Sequence, residues 1–297
     1  MRRFAHIATR LFNVPLIINP AKAEIVVAAL ADRLGVASIV RLDGQVITPK
    51  PMAYADDDDE IIVFEDGGRG ERKGYDMAGG IARIEIEGTL VHKLGTLRPS
   101  SGMTGYDGIR ENFVRAQHDD TVKGIVLEID SPGGEVSGCF DLADTIFSFK
   151  GSKPVWAILN EAAFSGGYAL ACVADRIIVP RTGGTGSIGV VWMHCDFSQM
   201  LGKEGIRVTF IQRGDRKVDG APEIPLSEEA MVIFQQQIDE IGGIFEALVA
   251  KGRGLSTDKI RGMNAATFQG AQSVALGLAD AVMAPDAAYR AMFELVG

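Results

Sequence analysis

The sequence is short of the residues that build metal sites and disulfide frameworks. It has 3 cysteines, Cys139, Cys172 and Cys195, and 4 histidines in 297 residues. The cysteine count is odd, no Cys-x-x-Cys pair occurs, and none stands at metal-ligand spacing from a histidine, which argues against both a disulfide framework and a zinc site. A reducing cytoplasm is the default compartment. Basic charge is also scarce. With 30 Lys and Arg against 39 Asp and Glu, the formal net charge is −9, which argues against a nucleic-acid groove or an anionic membrane surface as the main partner. No window approaches eighteen uninterrupted apolar residues, so no transmembrane helix is expected. The apolar stretch near Leu11 to Ile18 is broken by Asn13 and Pro15, and no small-residue cleavage site follows cleanly, so no signal peptide is expected either.

What remains is a globular composition. Hydrophobic residues make up 46% of the chain and charged residues 23%, which excludes wholesale disorder and allows one large core or two modest ones. Ile25, Val26, Ala29, Leu30 and Leu34 recur at helical spacing, predicting a short amphipathic helix over 21–34 in an N-terminal segment of residues 1–50. From about residue 51 to 80 the character is that of a linker: an acidic run from Asp56 to Glu60, then glycine and charge from Gly67 to Gly74.

From Ile81 to about residue 285 strands alternate with helices. Strands are predicted at 81–86, 124–129, 154–159, 177–179 and 208–211, and helices at 106–117, 136–149, 165–174, 227–251, 257–261 and 271–276. This alternation predicts an α/β fold of parallel βαβ units with right-handed crossovers, whose ligands lie beyond the carboxyl ends of the strands. Residues 286–297 read as a C-terminal tail.

Within this domain, Ser165 follows a short apolar segment and precedes Gly166, Gly167 and a helical stretch. A hydroxyl at the first turn of a helix has unpaired backbone N–H groups around it, and the glycines clear the approach of a substrate. Serine is equally a favoured N-cap, so the same residues allow a purely structural reading. Ser131-Pro132-Gly133-Gly134 follows the strand at 124–129; read as a tight turn, it can present an N–H to a developing oxyanion, with the N–H of Gly166 as the second donor. It is also a common turn.

Histidine is the usual base for a serine, but His194 reads as a core or strand-end residue. Lys217, in Gly-Asp-Arg-Lys-Val-Asp-Gly at 214–220, is the other candidate. A lysine deprotonates serine only if desolvation or nearby cations lower its pKa; Arg213 and Arg216 push that way, Asp215 and Asp219 the other.

In order, Ser-Pro-Gly-Gly, Ala-Phe-Ser-Gly-Gly-Tyr, Thr-Gly-Ser-Ile-Gly-Val at 185–190 and Gly-Asp-Arg-Lys-Val-Asp-Gly resemble the S49 peptidases, the signal peptide peptidase A family. The resemblance covers about Ile81 to Val282 and implies a fold like that of the Clp-protease and crotonase superfamily. It implies Ser165 as nucleophile, Lys217 as general base 52 residues further on, the N–H groups of Gly134 and Gly166 as oxyanion hole, and Ser187 as the residue that orients the lysine ammonium. It implies no metal and no nucleotide cofactor.

Phe12-Asn13-Val14-Pro15-Leu16, the stretch at 20–23, Ser101 to Tyr106 and Lys217 to Gly220 further resemble the head-maturation proteases of tailed double-stranded DNA phages. That group implies scaffold or capsid proteins as substrates, with cleavage of the enzyme itself. It also implies a ring-like homo-oligomer, with Ser165 and Lys217 of one site drawn from one subunit or from neighbours, working in the host cytoplasm or a procapsid. Three other readings stay open at this point: a cytoplasmic degradative peptidase, a non-catalytic capsid component, and a crotonase-type acyl-CoA enzyme.

Overall fold

The computed structural model describes residues 14–19, 22, 39–40, 46–47 and 74–297. The chain divides into one unit of Met1–Ala5 with Pro20–Lys73 and another of His6–Asn19 with Gly74–Gly297. The second unit opens with strand β1 (Pro15–Ile18). In the first unit Lys22 is helical and an antiparallel pair forms between β2 (Ile39–Val40) and β3 (Val46–Ile47). The rest of the helix expected over 21–34, and the acidic run from Asp56 to Glu60, lie outside the described residues.

The second unit continues with β4 (Asp76–Ala78), β5 (Ile81–Val91), β6 (Met103–Gly105), α1 (Tyr106–His118), β7 (Gly124–Glu135), α2 (Cys139–Ser148) and β8 (Val155–Phe164). After these come α3 (Gly166–Ala171), β9 (Arg176–Val179), β10 (Gly184–Gly186), β11 (Val191–Trp192) and α4 (Ser198–Lys203). The chain ends with α5 (Glu228–Arg253), α6 (Thr257–Gly262), β12 (Thr267–Gln269), α7 (Gly270–Ala275), β13 (Ala281–Val282) and α8 (Pro285–Val296).

β5, β7, β8 and β9 pair in parallel, and the long strands change partners partway along. β8 pairs with β9 over Trp156 to Ile158 and with β10 over Ala162 to Phe164. β7 pairs with β8 as far as Ser131; beyond it the same edge is taken by β1, antiparallel, from Gly133 to Glu135. The chain is therefore a mixed α/β protein with a large, mostly parallel sheet.

Alternate residues of β7 enter different cores, as expected of a strand buried on both faces. Ile125, Leu127 and Ile129 join the larger cluster with Phe113, Leu142 and Tyr168; Val126 joins a smaller one with Trp156, Ile178, Ala288 and Met292. Each fully buried aliphatic side chain contributes roughly 1.5–3 kcal/mol.

Five expectations are corrected. The segment from 286 is not a tail: Pro285 opens α8, where a missing N–H costs nothing, and Ala288 and Met292 cover the second face of the sheet. The linker does not extend to residue 80, because β4 pairs with β5. Pro15–Ile18 belongs to the large sheet and not to a separate N-terminal segment. Ser131 to Gly134 is no tight turn; it is the irregular end of β7, with register shifts on both sides. Finally, residues 208–211 form no ladder. Ile206, Val208, Phe210 and Ile211 are exposed there, Ile211 at 99%.

Candidate active site

β8 ends at Phe164 and α3 starts at Gly166, leaving Ser165 at the corner with φ 53° and ψ −118°. A non-glycine residue adopts positive φ only when its surroundings hold it there. Two hydrogen bonds do so. The Ser165 N–H donates to the Gly186 carbonyl at 2.8 Å, and the Ser165 carbonyl accepts from the Ala169 N–H at 2.9 Å.

The hydroxyl is free of structural duty. Ser165 occupies the N-cap position but its side chain makes no capping bond, and its Oγ is buried without a hydrogen-bond partner. At 1% exposure an unpaired hydroxyl costs about 1–3 kcal/mol. The N-cap reading therefore does not account for this serine.

The end of β7 lies directly against it. A Cβ added to Gly133, whose φ is +97°, would come within 2.8 Å of the Gly166 nitrogen and 3.0 Å of Ser165 Cβ, and would collide with the Ile17 carbonyl oxygen. Gly134 is glycine for a different reason: a side chain there would strike the Leu90 backbone of β5. The two N–H groups also differ. That of Gly133 donates to Ser131 Oγ at 3.1 Å, while Ser131 Oγ donates to the Gly88 carbonyl at 2.7 Å. Of the pair, only the Gly134 N–H is left for the β1 side.

Two further residues support this corner. Tyr106 donates its hydroxyl to the Glu135 carbonyl at 2.8 Å, and the Tyr106 hydroxyl oxygen lies 3.2 Å from where a Gly166 Cβ would be. Burial, with Cys139 and Glu135 beside it, holds the phenol proton well beyond its ordinary pKa. The Cys139 thiol, pushed up to about 12 by burial, donates to the Gly166 carbonyl at 3.7 Å. Sequence reasoning missed Gly133, Tyr106 and Cys139 as supports. Glycine pairs are visible in a sequence, but which glycine faces the serine depends on strand register.

Ser187 follows Gly186, the residue bonded to Ser165. It is 5% exposed with φ 54°, and its N–H donates to the Ala266 carbonyl at 2.9 Å. Lys217 sits exposed on the turn from Asp215 to Gly220, its N–H bonded to the Gly214 carbonyl at 3.2 Å. Because Ser165 Oγ has no hydrogen-bond partner, the Lys217 ammonium is not within bonding reach of it in the single chain. Neighbouring Arg216 pairs with Asp219 and Glu229. His194 stacks on Trp192 with ring centroids 6.0 Å apart. The structure thus sets Gly133 and Gly166 against Ser165 and Ser187 one residue beyond the carbonyl that Ser165 bonds, while Lys217 makes no hydrogen bond to the Ser165 hydroxyl.

Among the described residues no cluster of His, Cys, Asp and Glu is arranged to hold a metal ion, and no helix is long and apolar enough to cross a membrane.

The chain is 40% identical over 279 residues to the head-tail preconnector protein GP5 of Enterobacteria phage P21, covering 94% of this chain and 55% of that protein. It is 37% identical over 285 residues to the capsid assembly protease C of Escherichia phage lambda, covering 94% and 63%. A chloroplastic serine protease SPPA of Arabidopsis thaliana is 28% identical over 204 residues, covering 68% and 30%. The chain thus spans 55–63% of the length of the two phage relatives. Among solved structures, an enoyl-CoA hydratase from Shewanella pealeana overlaps 75% of this chain and 72% of its own, and a ClpP1 variant from Listeria monocytogenes 68% and 90%. Both have a TM-score of only 0.42, at 11% and 12% identity. The profile of peptidase family S49 matches residues 148–297, half of the chain. With Ser165, Ser187 and Lys217 inside the matched span, the chain belongs to peptidase family S49.

Proposed function

We propose that this chain is a serine endopeptidase of phage or prophage head maturation, with Ser165 as nucleophile and Lys217 as general base. One observation carries the chemistry: a buried hydroxyl with no partner, held at positive φ next to Gly166 and against the glycine-rich end of β7. Neutral Lys217 takes the Ser165 proton, and Oγ attacks a peptide carbonyl. The N–H groups of Gly134 and Gly166 hold the resulting oxyanion, each contributing roughly 3 kcal/mol to lowering the barrier. As the C–N bond breaks, Lys217 returns the proton to the leaving amine; water, activated by the same lysine, then hydrolyses the ester. Ser187 orients the ammonium. No metal or nucleotide enters the reaction.

The exposed position of Lys217, against a Ser165 hydroxyl that is buried and unbonded in the single chain, supports a site completed by assembly. The extended segment with exposed Ile206, Val208, Phe210 and Ile211 supports a homo-oligomer, since a run of exposed apolar side chains on unpaired backbone marks an interface. A ring of subunits, with Lys217 brought to Ser165 in the assembled form, accounts for both observations. That one phage relative is a capsid assembly protease supports protein substrates of head assembly; the substrates proposed are scaffold and capsid proteins, and the chain itself, within the host cytoplasm or the procapsid.

The test is labelling with a serine-directed fluorophosphonate. The assembled wild type is expected to react, while Ser165→Ala, Lys217→Ala and a verified dilute monomer do not. A folded, assembled protein that takes no label either as wild type or as Ile17→Asp, which displaces the strand at Pro15–Ile18, overturns the peptidase reading.

A further inference from the structure

β7 has an open edge where β8 turns away into Ser165, and the chain fills that edge with its own residues. The pairs Leu16 with Glu135, Ile17 with Gly134 and Ile18 with Gly133 run antiparallel on one side of β1. On its other side, Pro15 pairs with Trp192 and Leu16 with Val191 of β11. The segment is thus an added strand between two others, the arrangement in which a sheet edge takes up an extended peptide. Leu16, Ile17 and Ile18 are buried to 4% exposure or less.

The register sets one peptide bond apart. The Asn19 N–H donates to the Pro132 carbonyl at 2.8 Å, so this pair is of the hydrogen-bonded class. In an antiparallel ladder the classes alternate, and two residues along Ile17 and Gly134 face each other in the same class. The Gly134 N–H is therefore directed at the Ile17 carbonyl. That same oxygen is what a Gly133 Cβ would strike, at a point 2.8 Å from the Gly166 nitrogen and 3.0 Å from Ser165 Cβ. The Ile17 carbonyl thus faces the Gly134 N–H and lies in the neighbourhood of Ser165 and the Gly166 N–H, separated from them by no more than the space a Gly133 side chain would fill.

We infer that β1 occupies the peptide-binding groove in cis, with the Ile17–Ile18 bond at Ser165, so that the chain holds its own groove closed to other peptides. The groove takes an extended apolar peptide as an antiparallel strand between β7 and β11, with a branched aliphatic residue where Ile17 sits. A tethered strand has an effective concentration on the order of millimolar, so a free peptide competes poorly until β1 leaves. The inference deepens the peptidase reading, and is tested by binding alone so that the two can fail separately.

The ligand is a fluorescein-labelled nonapeptide of residues 12–20, and anisotropy is read on full-length Ser165→Ala protein, where no cleavage occurs. Cysteines replacing Leu16 and Val191 face each other across β1 and β11. Antiparallel partners lie about 4.5–5.5 Å apart at Cα, within the range of a disulfide. The oxidised form is expected to bind the peptide at least about tenfold more weakly than the same molecules after reduction, because only an emptied groove is competent. In a second protein, Ile17→Asp expels the strand, and the peptide is expected to bind more tightly than to the parent. A peptide with proline in the Ile17 position, lacking the N–H, is expected not to bind either. Equal affinity in the oxidised and reduced states, or no binding to both the reduced and the Ile17→Asp proteins, overturns the inference.

Discussion

The N–H of Ser165 and the carbonyl of Gly186 are 2.8 Å apart, a hydrogen bond that ties the serine corner to the strand leading into Ser187. Both serines have positive φ, 53° and 54°. β10 thus fixes where β8 ends, and the geometry of the corner depends on two segments about twenty residues apart in sequence.

Replacing Ser165 by alanine is expected to leave the fold intact or firmer while abolishing peptide turnover. No hydrogen bond is lost, because the hydroxyl makes none. Removing an unsatisfied buried group stabilises by up to about 1 kcal/mol, or roughly 2–4 °C in Tm. Thermal melts and a peptide assay on one preparation check this; a large drop in Tm counts against the geometry.

Two glycine substitutions are expected to act in opposite directions. Gly133→Ala puts a side chain at φ +97° against the Ile17 carbonyl and the Ser165 corner, and is expected to cost about 2–3 kcal/mol along with activity. Gly202→Ala, on α4 with open space around it, is expected to stabilise by about 0.5–1 kcal/mol. Urea midpoints distinguish the two.

Lys217 tests the base. It is exposed, so Lys217→Ala and Lys217→Arg are expected to leave stability within about 0.5 kcal/mol. Both are expected to lower kcat by about 10²–10⁴, since a guanidinium keeps the charge but does not accept the serine proton. Substantial activity in Lys217→Arg removes lysine from the mechanism.

Asp76 is expected to make acid stability pH-dependent. Its carboxyl is lowered to about 2, chiefly by the Arg98 hydrogen bond at 2.6 Å and further by Arg83 at 2.7 Å. With the folded pKa below the unfolded one, the contribution is present above about pH 4 and is lost as pH falls toward 2. The side chain is 44% exposed, so solvent screening limits it to about 1 kcal/mol. Denaturation curves at pH 5 and pH 2.5 are expected to differ by less in Asp76→Asn than in the wild type.

Much of the α/β order was legible because its signals are local. Runs such as Gly124 to Ile129 are apolar enough to be strands wherever they pair, and Ser227, whose hydroxyl accepts the Ala230 N–H, caps α5 at the residue where the helix was expected to begin. Residues 208–211 carry the same β-forming signal and form no ladder, since a strand needs an edge to pair with. α8 escaped notice because it stands at the end of the chain with no strand after it, and Ala288 and Met292 gain their meaning only from the sheet beneath.

The sequence by itself determined that a serine stands between a strand and a helix, with glycines before and after it in the chain and a lysine further on. Local residue types and their order suffice for that. Only the tertiary structure decided that Gly133 gives its N–H to Ser131 and leaves that of Gly134 facing Ile17, that Lys217 makes no hydrogen bond to the Ser165 hydroxyl, and that Pro15–Ile18 pairs between β7 and β11. Each of these depends on which backbone groups meet across long sequence separations, a question of strand register that no local pattern encodes.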